Sequence, residues 1–200
     1  MSEEKIRALG ERVYSTLARS AADVARMPRM SDGDFDRLVE TRGLDRLESA
    51  YAQGKGVICV TGHIGNWELL AAYSVRRGYP VSALAQTIYD KRLDRLLVSI
   101  RESSGIENIR RDANPARFVR ALRRGRLLGI LMDQDTKVSG VFAAFPGRPA
   151  YTPLGPASLA LATGAPVIAM AAFWREDGGY LVEVRDPINA ERTGDRDADL

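Results

Sequence analysis

Residues 56–66 read GVICVTGHIGN, and this stretch decides the class of fold. The run Val57–Thr61 is apolar and mostly β-branched, lies between glycines and is too short for a helix, so it predicts a buried strand. The segment Gly62–Gly65 predicts a turn, and the Asn66 side chain is suited to capping the helix that follows. A buried strand that leads through a short turn into a helix is the repeating unit of α/β proteins.

The remainder of the chain continues this alternation. Periodicity and turn residues predict helices over 3–27, 31–39, 44–51, 66–77, 90–103, from 115 onward and over 153–163, and strands over 81–86, 106–109, 127–132, 141–145, 167–174 and 180–184. We therefore expect an α/β fold with a mostly parallel central sheet flanked by helices. We expect one domain over 1–200, with a helical N-terminal part (1–54), an α/β core (55–186) and a tail (187–200).

Two of the predicted helices carry expectations about burial. The N-terminal helix has apolar residues at spacings of three and four, and we expect it to pack against the α/β core. The alternative is that this helix lies on a membrane surface. In the helix over 90–103 we expect Leu93, Leu96, Leu97 and Ile100 to point inward.

Composition narrows the class of protein. A chain of 200 residues with 45% hydrophobic content can build one sizeable core, and a net charge of +3 does not indicate a nucleic-acid partner. The single cysteine, Cys59, excludes an internal disulfide and fits a reducing compartment. The stretch from Pro149 to Trp174 has no charge and is long enough to span a bilayer, but prolines and glycines interrupt it. A buried helix followed by a buried strand is the better interpretation.

Two polar motifs follow predicted strands, where ligands collect in parallel sheets. They are Thr61-Gly62-His63 and Asp133-Gln134-Asp135. His63 is the only histidine, and Glu68 follows it on the first turn of a helix. We expect Glu68 to accept a hydrogen bond from one ring nitrogen and leave the other to act as a general base. The alternatives are a structural histidine and a carboxylate that merely favours the positive end of its helix.

Other chemistries are poorly supplied by this sequence. Zinc needs three or four ligands, and the chain has one histidine and one cysteine. Asp133 and Asp135 can bind magnesium, but neither a phosphate-binding loop nor an EF-hand is present. The G-x-S-x-G motif of serine hydrolases is also missing. We therefore expect neither a metal nor another cofactor.

The motifs resemble a known family. The block Gly62–Glu68 looks like the first signature of the lipid A biosynthesis acyltransferases, also called lysophospholipid acyltransferase-like proteins. Arg92-Leu93-Asp94 with Arg101 is similar to the second signature, and Leu131–Asp135 to the third. The fourth is similar to Phe145–Ala150, continued by Thr152-Pro153 and Gly155. Four blocks in order over about residues 20–185 make the resemblance specific.

The resemblance implies a glycerol-phosphate-acyltransferase-like fold and transfer of a fatty acyl chain. The donor would be acyl carrier protein or acyl-CoA, and the acceptor a hydroxyl of an amphipathic glycolipid such as a lipid A precursor. His63 and Glu68 would form the catalytic pair, without a metal. The residues expected to bind substrate are Arg101, Asp133, Asp135, Asn66, Gly65 and Arg148.

The same resemblance implies work at the cytoplasmic face of a bacterial inner membrane. Family members usually begin with a hydrophobic anchoring segment and continue past the last strand. We therefore expect the present chain to be a truncated form that binds the membrane surface peripherally. The densest positive cluster surrounds the helix after Pro115 and has two interpretations, a docking site for an anionic headgroup or acidic carrier protein, or an ordinary solvated face. It consists of Arg110, Arg111, Arg117, Arg120, Arg123, Arg124 and Arg126.

Two further activities remain open from the residues alone. A thioesterase would use the same groups on water, so exclusion of water separates hydrolysis from transfer. A non-catalytic lipid-binding module would need the fold and the apolar surface but neither His63 nor Glu68. Acyl transfer also needs a donor for the developing oxyanion, either backbone amides at the start of the Asn66 helix or Arg101.

Overall fold

A computed structural model describes residues 1–134, 137–190 and 193–194. The helices are α1 (Glu3–Arg26), α2 (Asp32–Leu38), α3 (Leu44–Tyr51), α4 (Trp67–Arg76), α5 (Lys91–Ser103), α6 (Ala116–Arg123) and α7 (Gly155–Thr163). The strands are β1 (Val39–Arg42), β2 (Val57–Thr61), β3 (Val81–Ala85), β4 (Glu107–Arg110), β5 (Leu127–Leu131), β6 (Gly140–Phe145), β7 (Arg148–Pro153), β8 (Val167–Trp174) and β9 (Tyr180–Val184). Helices and strands alternate, as the sequence predicts.

A seven-stranded sheet forms the centre, in the order β1-β9-β8-β2-β5-β3-β4. Only β8 and β9 pair antiparallel within it; its other neighbours run parallel. The predicted α/β class with a mostly parallel sheet is therefore confirmed. Strands β6 and β7 form a separate antiparallel ribbon.

The register between β2 and β5 determines where the site can lie. Val57 is opposite Leu127, and Thr61 is opposite Leu131, so the two parallel strands end side by side. The segments that leave them, one carrying His63 and the other Asp133, therefore start at the same edge of the sheet.

Two apolar cores cover the two faces of the sheet. Alternate residues of β2 point to opposite faces, with Val57 and Cys59 in one core and Ile58 in the other. Helices α4 and α5 contribute to the first core, and α6 and α7 contribute to the second. Burial raises the pKa of the Cys59 thiol to about 12, so this cysteine is an inert core residue.

The structure corrects three local predictions. Val39 begins strand β1, which pairs with β9, so the N-terminal part is not helical throughout. Leu93 and Leu96 of α5 are more than half exposed instead of pointing inward. Helix α1 packs on the core only near its C-terminal end, where Ser20 and Asp23 are buried.

The predicted packing of α1 is wrong for most of its length. Its apolar stripe is about half exposed and consists of Ile6, Leu9, Val13 and Leu17. No helix in the described part of the chain is long and apolar enough to cross a membrane. The uncharged stretch from residue 149 to 174 forms most of β7 and all of α7 and β8. Helix α7 followed by strand β8 agrees with the prediction, whereas β7 contains no buried residue.

Candidate active site

The loop that carries His63 passes very close to its neighbours on both sides. Gly62 lies against Asp133, since a Cβ at Gly62 would be 3.0 Å from the Asp133 Oδ2 atom. Gly65 has a φ of +60° and lies so close to Ala172 that a Cβ would fall 1.8 Å from its carbonyl oxygen. Only glycine fits both the conformation and the space at Gly65. The two glycines thus let the loop sit between β5 and β8.

His63 is held by Asp133. The backbone N–H of His63 donates to Asp133 Oδ2 at 2.6 Å, and the ring Nδ1 lies 2.8 Å from Asp133 Oδ1. A carboxylate accepts hydrogen bonds only, so Nδ1 carries a proton, and in the neutral imidazole the lone pair is then on Nε2. Burial raises the pKa of Asp133, but the hydrogen bonds from the His63 ring and backbone outweigh it and hold this pKa below its usual value.

Glu68 has a different partner, Arg101. Arg101 Nε donates to Glu68 Oε2 at 2.7 Å, its Nη2 donates to Glu68 Oε1, and both side chains are almost buried. Trp67 Nε1 also donates to Glu68 at 3.2 Å. The predicted hydrogen bond between His63 and Glu68 is therefore wrong. The first turn of α4 directs Glu68 toward α5, whereas the imidazole turns toward the end of β5.

An open cavity of about 670 Å³ adjoins the imidazole. The Trp67 ring meets the His63 ring edge-on, with centroids 4.8 Å apart, and both rings line the cavity. The Gln134 amide nitrogen lies 3.4 Å from His63 Nε2. The His63 side chain is 35% exposed, so a substrate group can reach Nε2.

The other predicted site residues are distributed unevenly. Arg101 lines the cavity, whereas Gly65 and Asn66 belong to the packing of the loop, and Asn66 caps α4 by accepting from the Leu69 amide at 3.0 Å. Arg148 is an exposed residue at the start of β7 and does not line the cavity. Asp135 lies outside the described residues, as do Asp195, Asp197 and Asp199 of the predicted tail.

The sequence did not indicate three other polar residues of the cavity wall. Asn108 accepts from Arg101 Nη1 at 3.2 Å, and its own buried amide nitrogen has no partner among the described residues. Arg110 and Arg111 line the same cavity, although the sequence indicates them only as members of the positive cluster around the helix after Pro115, interpreted as a docking site or a solvated face. These residues lie in or just after β4, which is next to β3 in the sheet, and strand order was the missing information. The described residues hold no cluster of three or more potential metal ligands among His, Cys, Asp and Glu.

A parallel α/β sheet with an aspartate-held histidine at the carboxyl ends of its strands defines a site suited to base catalysis on a substrate hydroxyl. The particular family follows from the match of the chain to known proteins. The chain belongs to the family of bacterial lipid A biosynthesis acyltransferases, whose family model matches residues 1–199. The family indicated by the four sequence blocks is confirmed.

Curated relatives are named as acting on a different glycolipid. The chain is 29% identical over 168 residues to a phosphatidylinositol mannoside acyltransferase of Mycobacterium tuberculosis (strain CDC 1551 / Oshkosh), covering 81% of this chain and 53% of that protein. It is also 29% identical over 168 residues to the protein of the same name from Mycolicibacterium smegmatis, covering 82% and 55%. The chain thus spans about half the length of the curated relatives it matches.

Proposed function

We propose that the protein is an O-acyltransferase that moves a fatty acyl chain from a thioester donor to a hydroxyl of a glycolipid. The observation that carries the proposal is the hydrogen bond between His63 Nδ1 and Asp133, which leaves Nε2 at the wall of an open cavity. The donor is acyl carrier protein or acyl-CoA, both of which present the acyl group as a thioester. Membership of the acyltransferase family supports this reaction class.

In the proposed reaction, His63 is the general base. Nε2 accepts the proton of the acceptor hydroxyl while the hydroxyl oxygen attacks the thioester carbonyl. Asp133 stabilises the imidazolium that forms. We propose that the hydroxyl takes the position now held by the Gln134 amide nitrogen, which lies 3.4 Å from Nε2. When the tetrahedral intermediate collapses, the carbon–sulfur bond breaks, and the thiolate receives the proton from Nε2. The products are an ester and a thiol.

We propose that backbone amides at the start of α4 donate hydrogen bonds to the oxyanion of the tetrahedral intermediate. Arg101 was the other candidate, but its guanidinium donates to Glu68 and Asn108. The backbone N–H of Asn66 is also engaged, because it donates to the Ala172 carbonyl oxygen at 3.0 Å. We therefore assign the role to the amides of Trp67 and Glu68, which lie at the positive end of the helix in two residues that line the cavity.

Glu68 and Arg101 are proposed to support the site without taking part in proton transfer. Their ion pair joins the first turn of α4 to the last turn of α5, and the Trp67 indole donates to it. Since Trp67 packs against the imidazole, the pair fixes one wall of the cavity beside His63.

The acceptor is proposed to be an amphipathic glycolipid. A lipid A precursor is one candidate, and a phosphatidylinositol mannoside is the other because the curated relatives carry that name. Both candidates combine sugar hydroxyls with phosphate, for which the cavity offers Arg111 together with Arg110, whose Nε and Nη2 donate to Asp112. Gln134 lines the histidine side of the cavity, where the reacting hydroxyl would bind, whereas Asp133 contacts the imidazole and is not part of the cavity lining.

The protein is proposed to work on the cytoplasmic face of a bacterial inner membrane. Apolar surface supports this localisation, because the stripe of α1 is about half exposed and Phe142 and Phe145 of the ribbon are 75% and 64% exposed. Exposed apolar side chains in this number are typical of a contact surface. We do not propose nucleic acid as a partner.

The test is a transfer assay with defined lipids. The protein is incubated in detergent with radiolabelled hexadecanoyl-CoA or hexadecanoyl acyl carrier protein, and with a lipid A precursor or a phosphatidylinositol mannoside as acceptor. We expect labelled acceptor, and we expect His63→Ala to lower kcat by at least about 10²-fold. Asp45→Asn on the exposed face of α3 serves as a folded control. Transfer that persists undiminished in His63→Ala contradicts the mechanism.

The same assay separates the two rival activities. Release of free fatty acid that does not depend on any acceptor indicates a thioesterase, which the partial exposure of His63 to water makes worth measuring. Association with lipid vesicles in both wild type and His63→Ala, without turnover by either, indicates a lipid-binding module.

A further inference from the structure

Helix α1 contacts the last residues of the loop that carries His63. Ser20 Oγ donates to the Gly65 carbonyl oxygen at 3.3 Å, and Asn66 Nδ2 lies 3.5 Å from the Ser20 carbonyl oxygen. Ser20 and Asn66 are both buried, and Trp174 Nε1 donates to Ser20 Oγ at 3.3 Å. The end of the loop is thus attached to an element that lies far from it in sequence.

A buried chain of hydrogen bonds fixes the orientation of the Asn66 amide. The Tyr180 hydroxyl donates to Asp23 Oδ2 at 2.6 Å and accepts from Asn66 Nδ2 at 3.0 Å. A hydroxyl has one hydrogen, so once the carboxylate accepts it, Tyr180 offers Asn66 only lone pairs. The nitrogen of the amide must therefore face Tyr180, and its oxygen is left to accept from the Leu69 amide.

The amide orientation matters because α4 begins with residues of the site. Asn66 is the N-cap, and Trp67, the next residue, packs edge-on against His63. A cap with the wrong orientation would leave the Leu69 N–H unpaired and release the first turn of the helix. The position of the Trp67 indole beside the imidazole then depends on Tyr180, which is fully buried.

We propose that Asp23, Tyr180 and Asn66 are positioning residues for His63. Together they lock the N-terminus of α4 and the loop before it in the arrangement that aims Nε2 into the cavity. None of the three lines the cavity, so they act through the loop and make no contact with substrate. The effect on turnover rests on the proposed function, whereas the position of the imidazole is measurable without it.

The test compares two buried tyrosines that each lose one hydroxyl. Tyr180→Phe breaks the proposed chain, while Tyr73→Phe removes a hydroxyl of α4 that bonds to Thr41 at 2.6 Å and to Arg77 at 2.8 Å. His63 is the only histidine, so labelling histidine with ¹⁵N gives one imidazole spectrum. We expect Tyr180→Phe to shift the ring nitrogen resonances and to speed exchange of the Nδ1 proton, and Tyr73→Phe to leave both as in wild type.

The transfer assay supplies the second readout. Tyr180→Phe should lower kcat about tenfold with KM changed less than about twofold, because the base is misplaced while the cavity wall other than Trp67 remains. Asp23→Asn keeps an acceptor for the Tyr180 hydroxyl, so it should retain more activity than Asp23→Ala. If Tyr180→Phe fails to fold, the comparison of Asp23→Asn with Asp23→Ala replaces it as the test.

One result would overturn the positioning role, and a different result would overturn the proposed function. If Tyr180→Phe and Tyr73→Phe lose similar stability and both leave the imidazole spectrum unchanged, the positioning role is overturned. If the wild-type protein transfers no acyl group, the proposed function fails, and the imidazole spectra still decide whether these residues position His63.

Discussion

Asp133 is the residue whose replacement should affect the chemistry most directly after His63. Asp133→Asn keeps the size of the side chain but replaces one acceptor oxygen by an amide, which can present its own N–H groups to the ring. Nδ1 then loses the partner that fixes its proton, so the fraction of imidazole with a free Nε2 falls. We expect kcat to fall about 10²-fold or more, measured in the transfer assay.

The matched control for this variant is Asp45→Asn, which makes the same chemical change on an exposed part of α3. It should retain wild-type turnover. Glu68→Gln distinguishes the two carboxylates further, since it removes the residue that the sequence placed beside His63. A larger loss of kcat in Glu68→Gln than in Asp133→Asn would contradict the assignment of Asp133 as the partner of the imidazole.

Arg101 should matter chiefly for stability. Its guanidinium and the Glu68 carboxylate are almost buried, so Arg101→Met leaves a carboxylate without its partner. Removing one member of such a pair costs about 3–5 kcal/mol in the free energy of unfolding. We expect a loss of this size for Arg101→Met in urea denaturation.

The double variant Glu68→Gln with Arg101→Met tests the reason for that loss. It removes the stranded charge, so it should be more stable than Arg101→Met alone. Equal stability of the single and double variants would indicate that lost packing of the arginine, rather than an unpaired buried charge, causes the effect.

The exposed surface of the β6–β7 ribbon indicates that this element binds a partner. A two-stranded hairpin is marginally stable by itself in water, and no residue of these two strands is buried. Phe142 packs edge-on with Tyr151 but is still 75% exposed, and the segment from Lys137 to Pro153 has basic residues but no acidic one. Aromatic rings beside basic side chains suit the interface of an anionic bilayer.

Replacing the ribbon's phenylalanines should therefore weaken membrane binding. For the double variant Phe142→Ser with Phe145→Ser, we expect about tenfold weaker association with vesicles that contain phosphatidylglycerol, measured by co-sedimentation. The control is Leu93→Ser with Leu96→Ser, which removes two apolar residues of α5 that are more than half exposed and should bind nearly as wild type. Equal weakening by both double variants would contradict a specific role of the ribbon.

For the molecule as a whole, local sequence pattern predicted most elements because their patterns are strong. The strand Val57–Thr61 and the antiparallel pair β8–β9 are as expected, and the family was identifiable from four short blocks. Strand β1 was missed because Val39 continues the apolar spacing of α2, and only pairing with the distant β9 makes it a strand. The exposure of Leu93 was missed because a regular apolar spacing does not say whether another element covers it.

At the site too, local sequence pattern did not predict which distant residues are in contact. His63 could be selected from the sequence, since it is the only histidine and follows a buried strand between glycines. Proximity in sequence predicts Glu68 as its partner, whereas the carboxylate that binds it is 70 positions away. Both motifs were expected at the same edge of the sheet, but only the neighbouring positions of β2 and β5 bring His63 and Asp133 into contact.

That contact should also be visible in the dependence of global stability on pH. The His63 hydrogen bonds hold the pKa of Asp133 below its usual value in the folded protein, so the folded state binds this proton less readily than the unfolded chain does. A lowered carboxyl pKa contributes stability that is complete above the unfolded value of about 3.9 and is lost as the pH falls through the folded value.

The measurement is the difference in free energy of unfolding between wild type and Asp133→Asn, from urea denaturation at several values between about pH 6 and pH 3. The amide does not titrate, so the contribution of the carboxylate is present only in wild type. We expect the stability advantage of wild type to be constant at the upper end of this range and to shrink toward the lower end. An advantage that stayed constant down to the lowest pH would mean that folding leaves the proton affinity of Asp133 unchanged, and the imidazole would then have no anionic partner of the kind that base catalysis by His63 requires.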